Sequence, residues 1–317
     1  MATNAFNTFD AKGIREDLSN IIYNISPTET PFVSNIGKRS AKNTYFEWQT
    51  DALASAVTTN AQLEGDDVSA AAVTPTTRVG NYTQISNKTW TISGTLEAVD
   101  KAGRKTEQAY QMAKKGKELK RDVEATLTSS QVAVSGGTTT ARKTAAFDTW
   151  LTSNVSAGAG GGGYTYTTTP ITARTTGTLR AYTENILKSE IKSTWTSGGS
   201  LNMLMVGPVN KQRASTFAGI ADIRVNASGK EQGAIVGAAD YYMSDFGGVD
   251  VVPNRFMPED RAYLIDPDYV SLATLRPYQA QQLAKTGDAE KWMMLVEYGL
   301  QVDNQAAHGV SRDLTTT

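Results

Sequence analysis

Between Thr50 and Asn81 the chain carries no aromatic residue, many Ala and Thr, and an acidic knot at Glu64, Asp66 and Asp67. Such a stretch cannot build a core of its own, because burial of large apolar side chains is what stabilises a folded segment. On both sides stand runs that favour strands: Thr44-Tyr45-Phe46-Glu47-Trp48-Gln49 before it and Tyr82 through Ser93 after it. A structureless connection beyond about 12 to 15 residues is unusual inside a compact domain. The bracketing strands therefore predict a long hairpin that projects from the body and packs on another molecule, with a lid or a disordered segment as the alternatives.

The rest of the 317 residues is long enough for one elaborate domain or two ordinary ones. With 39% hydrophobic residues, 20% charged residues and 27 glycines, the composition fits a loop-rich α+β protein. Formal net charge is -1, so any basic surface must be local rather than general. No run approaches the roughly 18 apolar residues of a membrane span, and the start Met1-Ala2-Thr3-Asn4-Ala5-Phe6 lacks both the basic and the apolar parts of a signal peptide. Cysteine is absent, which removes disulfides, thiolate nucleophiles and cysteine-held metals. His308 is the single histidine, so a multi-histidine metal site cannot form and a Ser-His-Asp triad has one possible centre.

Along the chain, Ile14, Leu18, Ile21, Ile22 and Ile25 suggest a short helix in an arm that ends at Pro27 and Pro31. Glu97 to Leu127 is the clearest element. Leu96, Val99, Gly103, Thr106, Tyr110, Ala113, Leu119, Val123 and Leu127 recur mostly at three- and four-residue steps, and Glu97–Lys101 and Asp100–Arg104 add i,i+4 pairs. The pattern predicts one long helix, on the order of 45 Å, lying along a sheet or a neighbour. The glycines at Gly136-Gly137 and Gly158 to Gly163 read as flexible connections, and Tyr164 to Thr167 as a short strand. A helix is expected over Thr178 to Thr196. Strands are expected at Leu201 to Val206, Val249 to Val252, Tyr263 to Ile265, Tyr269 to Leu275 and Trp292 to Val302.

Few constellations carry chemistry. No glycine run ends in the Gly-Lys-Ser/Thr of a phosphate-binding loop. Glu64, Asp66 and Asp67 have the hard oxygens that suit a divalent cation but not a calcium-loop spacing, which favours an exposed tip or an ionic contact with a neighbouring subunit. Lys101, Arg104, Lys105, Lys114, Lys115, Lys117, Lys120 and Arg121 give the long helix a basic excess, opposed only by Glu107 and Glu118 between positions 101 and 121. That face suits either intersubunit ion pairing or phosphate contact without base reading. His308 reads as an ordinary polar position with a pH-sensitive contact as the alternative, and Asp266-Pro267-Asp268 as a turn. No catalytic, cofactor-binding or metal residue is assigned.

Three blocks, Thr30-Pro31-Phe32-Val33-Ser34-Asn35-Ile36-Gly37, Thr44 to Asp51 and Gly80-Asn81-Tyr82-Thr83-Gln84-Ile85, closely resemble tailed-phage major capsid proteins. The likeness continues through Gly94 to Arg104, Ala113 to Asp122 and Val206-Gly207-Pro208 followed by Lys211-Gln212-Arg213, covering most of the chain. This resemblance implies the Hong Kong 97-like capsid fold, with an N-terminal arm (1–42), an extended hairpin loop (43–93), a spine helix (about Thr95 to Ser130) opening the peripheral domain (94–175), an axial domain (176–266) and the C-terminal part of the peripheral domain (267–317). It implies a shell subunit of the virion, assembled in the bacterial cytoplasm as hexamers and pentamers around double-stranded DNA held by non-specific contact. A portal protein, a separate scaffolding protein and possible cement or decoration proteins are the implied partners, with no membrane. The alternatives are a cellular nanocompartment shell of the same fold, an Asp/Glu- or Lys-based enzyme, and a free DNA-binding protein.

Overall fold

The computed structural model describes residues 27–65, 67, 72–101, 103, 105–217 and 240–316. The arm helix expected around Ile14 to Ile25 lies outside them, as do Asp66 and Arg104. In chain order the first elements are α1 (Pro31–Asn35), β1 (Gly37–Ser40), β2 (Tyr45–Thr50), β3 (Thr77–Tyr82), β4 (Gln84–Ser93), α2 (Gly94–Ala98), α3 (Glu107–Thr128) and α4 (Phe147–Trp150). There follow β5 (Val155–Ser156), α5 (Glu184–Thr196), β6 (Met203–Val206), α6 (Pro208–Ala214), β7 (Tyr241–Ser244), β8 (Gly247–Pro253) and β9 (Arg261–Ile265), and then the long β10 (Val270–Gln282), β11 (Ala289–Val302) and the short β12 (Gly309–Arg312). The α+β class expected from composition is what forms.

Two sheets organise the body. One has four strands in the order β1-β10-β11-β4, and the other six in the order β5-β12-β9-β6-β8-β7. A separate two-stranded ladder joins β2 and β3. The strands β6 and β9 are buried on both faces, which is why they read as continuous apolar runs rather than alternating ones. Met203, Met205, Tyr263 and Ile265 face one core cluster, while Leu204, Val206, Ala262 and Leu264 face the other. The last strand, β12, pairs with β9 in the six-stranded sheet and not with β10 and β11, so the C-terminal residues of the 267–317 segment join the edge strand β5 to the four strands of the 176–266 segment.

The long helix is interrupted. Instead of running from Glu97 to Leu127, the chain forms α2, ends it at Val99, is non-helical at the described positions 100, 101, 103, 105 and 106, with Gly103 at φ +76°, and restarts as α3. A left-handed residue cannot sit inside an α-helix, and glycine adopts that conformation without a Cβ penalty. The break is held by side chains. Ser93 Oγ accepts from Leu96 N–H at 3.3 Å, and Glu97 Oε2 accepts from Glu107 N–H at 3.1 Å, satisfying an orphan donor at the start of α3. The 22-residue α3 is thus about 33 Å long. Its Leu119, Val123 and Leu127 stripe packs toward β4 and β11.

The glycine run is also different from a linker. Gly158 N–H donates to Asp313 Oδ2 at 3.0 Å, and a Cβ on Gly158 would stand 2.0 Å from Thr178 O. A Cβ on Gly177 would stand 2.6 Å from Gly158 O. Close backbone approach around a buried carboxylate is what these glycines supply. Asp313 itself adopts φ +59° and pairs with Arg174 Nη2 at 2.5 Å. Burial raises its pKa, but that pair and the N–H donors from Gly158 and Gly177 outweigh it, so the carboxyl sits below its ordinary range. Tyr164 to Thr167 makes no strand. Tyr164 and Tyr166 point inward and donate to Asp148 Oδ2 (3.0 Å) and to the Trp150 carbonyl (2.9 Å), respectively.

Asp148 is the deepest polar anchor. Arg261 and Arg312 are register partners on β9 and β12, and both guanidinium groups reach the same face of the sheet. Two cations directly opposite each other repel. Asp148, fully buried, lies against both, accepting from Arg261 Nη1 at 2.9 Å and Arg312 Nε at 2.7 Å, while Asp260 takes Arg261 on its other edge. Substitution Asp148→Ala leaves the fully buried Arg312 without a counter-charge, and the expected loss of unfolding free energy is about 3–5 kcal/mol, measured by denaturant titration.

His308 is fully buried, edge-on to Phe147 at 5.2 Å, and its Nδ1 accepts from Asp266 N–H at 3.2 Å. Burial pushes its pKa down from 6.5 to about 3. Unfolded chains therefore bind a proton at this residue in the window between those values and folded chains do not, so stability is present above pH 6.5 and falls as pH drops toward 3. Wild type is expected to lose up to about 1.4 kcal/mol per pH unit more than His308→Gln across that window, read from unfolding curves at stepped pH.

Candidate assembly surfaces

The β2–β3 ladder runs in register from Tyr45↔Tyr82 to Thr50↔Thr77, and it is the stem of the expected hairpin. The stem is bolted to the body. Trp48 Nε1 donates to the Val302 carbonyl at 2.9 Å, and its ring lies 5.2 Å from that of Trp150. Tyr45 Oη and Thr169 Oγ1 are 3.0 Å apart, and Asn81, fully buried, donates to the Leu300 carbonyl at 2.7 Å and to Thr144 Oγ1 at 3.0 Å. Phe46 lies over Gly299, where a Cβ would come within 2.5 Å of the ring, so the strand opposite must carry glycine. Arg78 and Glu47 pair across the ladder. The aromatic residues missing from the loop are concentrated at its base.

Beyond the stem every described residue from Asp51 to Thr76 is exposed. Leu53 is 99% and Val73 93% accessible, and Val57 and Leu63 are also open to solvent. These apolar side chains lie outside both core clusters. Glu64 and Asp67 are exposed beside Gly65, whose φ of +84° makes the turn between them. Among the described residues no group of three His, Cys, Asp or Glu is arranged to hold a metal ion.

The basic residues expected to form one face do not all share it. Lys101 is in the helix break, its side chain 6% exposed, its Nζ donating to the Glu97 carbonyl at 3.0 Å. Lys115 pairs with Glu118 at 2.8 Å, and that hydrogen bond is the largest of the influences that hold the Glu118 carboxyl below its ordinary range. Lys105, Lys114, Lys117 and Lys120 are exposed, and Arg121 is half-buried. Lys117 and Lys120 flank a groove of about 500 Å³ between α3 and the β10–β11 hairpin. Ala109, Met112, Ala113, Gly116, Met294 and Tyr278 form its floor. Met294 and Tyr278 were missed by sequence reasoning because they lie more than 150 positions from α3 and carry no local signal.

The hairpin's position is set by Glu297, nearly buried on β11, which accepts from Thr83 Oγ1 at 2.9 Å and Arg276 Nε at 2.7 Å and pairs with Arg142. Burial raises its pKa, but Thr83 and the arginines prevail and hold the carboxyl below its ordinary range. Past Arg276 the strand β10 is exposed.

The family model of the SU10 major capsid protein matches residues 1–315. The chain belongs to this family. The major capsid protein of Escherichia phage Phieco32 is 32% identical over 96% of this chain and 96% of its own length. Among solved structures, the cyanophage A-1(L) capsid subunit has a TM-score of 0.66 at 12% identity, covering 98% of this chain and 99% of its own. A native gene transfer agent capsid has 0.63 at 10% identity over 99% and 100%, and Mycobacterium phage Che8 has 0.59 at 14% over 98% and 99%. The fold is the phage-capsid, Hong Kong 97-like one, and the chain is a major capsid protein of a tailed phage, a structural component of the virion. These relatives do not favour the nanocompartment alternative.

Limited digestion of the unassembled chain by a glutamate-specific protease is expected to cut after Glu64 before it cuts after Glu107, Glu124 or Glu190, which are buried. A first cut inside α3 or α5, seen by mass spectrometry, contradicts the anchored-stem geometry.

Proposed function

We propose that the subunit builds a shell of hexamers and pentamers by laying the exposed 51–76 loop across a neighbouring copy, where its acidic residues Glu64, Asp66 and Asp67 meet the basic residues of α3. One observation carries this reading: an apolar, acidic loop held out on a rigid stem, with Leu53 and Val73 almost wholly in solvent. The groove flanked by Lys117 and Lys120 on the same chain has the complementary character, an apolar floor with a basic rim. Each such ionic contact is worth at most about 1 kcal/mol, and closed symmetry repeats it around every ring.

The sequence segments take the corresponding roles: arm to position 42, extended loop 43–93, spine and peripheral domain 94–175 and 267–317, and axial domain 176–266. Within this reading β12 crosses from the peripheral segment to complete the axial sheet. Membership of the capsid family supports enclosure of double-stranded DNA, entry through a portal vertex, growth on a separate scaffolding protein in the host cytoplasm, possible decoration by a cement protein, and a purely structural role without catalysis. Exposed Lys105 and Lys114 are the basic positions best placed for non-specific phosphate contact.

Charge reversal tests the loop contact. Glu64→Lys with Asp67→Lys, or Lys117→Glu with Lys120→Glu, is expected to abolish or sharply reduce particle yield in sedimentation and electron microscopy while leaving the monomer's circular dichroism unchanged. The chain carrying all four substitutions is expected to recover particles. Undiminished assembly of either double variant contradicts the reading.

A further inference from the structure

Between α5 and the β5–β12 edge lies a polar cluster in the body of the subunit. Glu190, on α5, is 2% exposed, and its Oε1 accepts from the Ser311 hydroxyl on β12. Ser311 is the register partner of Ser156 on β5, whose hydroxyl accepts from Arg180 Nη2 at 2.7 Å. The Arg180 backbone in turn lies beside the continuation of β12, its N–H donating to Asp313 O at 2.8 Å and its carbonyl accepting from Thr315 N–H at 2.8 Å. Tyr182, two residues on and 3% exposed, packs its ring on Phe217. Arginine, two serines, a carboxyl and a phenol thus lie along one seam, with Glu190, Tyr182 and Ser311 buried and Arg180 and Ser156 partly buried.

Three atoms of this cluster have no protein partner: Glu190 Oε2, Tyr182 Oη and Arg180 Nε, all buried. The Glu190 carboxyl acts electrostatically on the Tyr182 hydroxyl and is itself acted on by the Arg180 guanidinium, and the Ser156–Ser311 register pair, on neighbouring strands, holds the Arg180 and Glu190 side chains. A buried polar atom without a partner costs about 1–3 kcal/mol, and three together conflict with a net stability of only about 5–15 kcal/mol. Glu124, by contrast, is a buried carboxylate fully engaged by protein donors: it takes Phe32 N–H, Val33 N–H and Asn254 Nδ2 at 2.7 to 2.9 Å. Interior polar sites with two to four convergent donors and acceptors are where proteins bind ordered water.

We propose that this pocket is an internal water-binding site, in which ordered water bridges Glu190, Tyr182 and Arg180 and ties α5 to the C-terminal strand. Burial raises the Glu190 pKa to about 8, so the carboxyl is protonated at neutral pH and offers the water a donor as well as an acceptor. Arg180 Nε donates, and the phenol does either. The water adds to the direct Glu190–Ser311 contact between α5 and β12.

The sign of a single substitution tests this in the full-length chain. If water bridges the pocket, Tyr182→Phe removes a made hydrogen bond and lowers the folding equilibrium constant by roughly threefold to tenfold. If the pocket is dry, the same change removes an unpaired hydroxyl and is neutral or stabilising, which overturns the proposal. Glu190→Leu combined with Tyr182→Phe is expected to be non-additive, since each removes the same bridge. Additive effects overturn it. Should either variant fail to fold, a high-resolution map of the wild-type particle decides: density within hydrogen-bonding distance of at least two of the three atoms supports the site, and its absence refutes it.

Discussion

Two arginines face each other across neighbouring strands in the interior of this protein, and one carboxylate makes that possible. Arg261 and Arg312 are register partners on β9 and β12, so their charges are forced together by the ladder itself. Asp148 takes a bond from each, Arg312 also donates to the Asp148 and Leu151 carbonyls, and Tyr164 covers the Arg312 guanidinium. The arrangement joins the segment around α4 to the last strand of the chain. Because β12 also holds β5 and stands against α5, the six-stranded sheet depends on this neutralisation.

A second set of buried carboxylates does similar work elsewhere. Glu124 receives the two backbone N–H groups at the start of α1, whose N-cap Thr30 makes no side-chain cap bond, and so fixes the point where the arm enters the body. Glu297 gathers Thr83, Arg142 and Arg276 and sets the β10–β11 hairpin against the base of the loop stem. The interior is thus over-determined by specific polar contacts, while the loop at 51–76 is left with apolar residues in water. That asymmetry, a body held by internal contacts and an extension whose described residues are exposed, is the structural basis of the proposed loop contact.

Much of the fold was legible in local pattern. The aromatic and Thr-rich runs around Tyr45–Thr50 and Gln84–Ser93 are strands, and Met203–Val206, Gly247–Pro253 and Arg261–Ile265 lie where apolar runs closed by proline or glycine put them. The helix break between α2 and α3 was not legible, because Glu97–Lys101 is also good helical spacing and only the tertiary roles of Glu97 and Gly103 turn it into a cap. Nor were Gly158 and Gly161, which sit in a run of linker composition yet serve close approach to Asp313. The basic face was legible as a charge excess but not as a geometry: Lys101 turned inward and Lys115 paired locally.

What the sequence determined by itself was the set of local preferences and exclusions: which runs extend, which coil, that thiol chemistry is impossible, and that the loop cannot fold alone. Family membership also belongs to sequence, since the matching order of residues spans nearly the whole chain. Which charges meet, which strand closes which sheet and which glycine stands beside which carboxylate were decided only by tertiary structure. The reason is separation along the chain. Asp148 and Arg312 are 164 positions apart, Asn81 and Leu300 are 219, and no periodicity in a window of a few turns carries information about partners that distant.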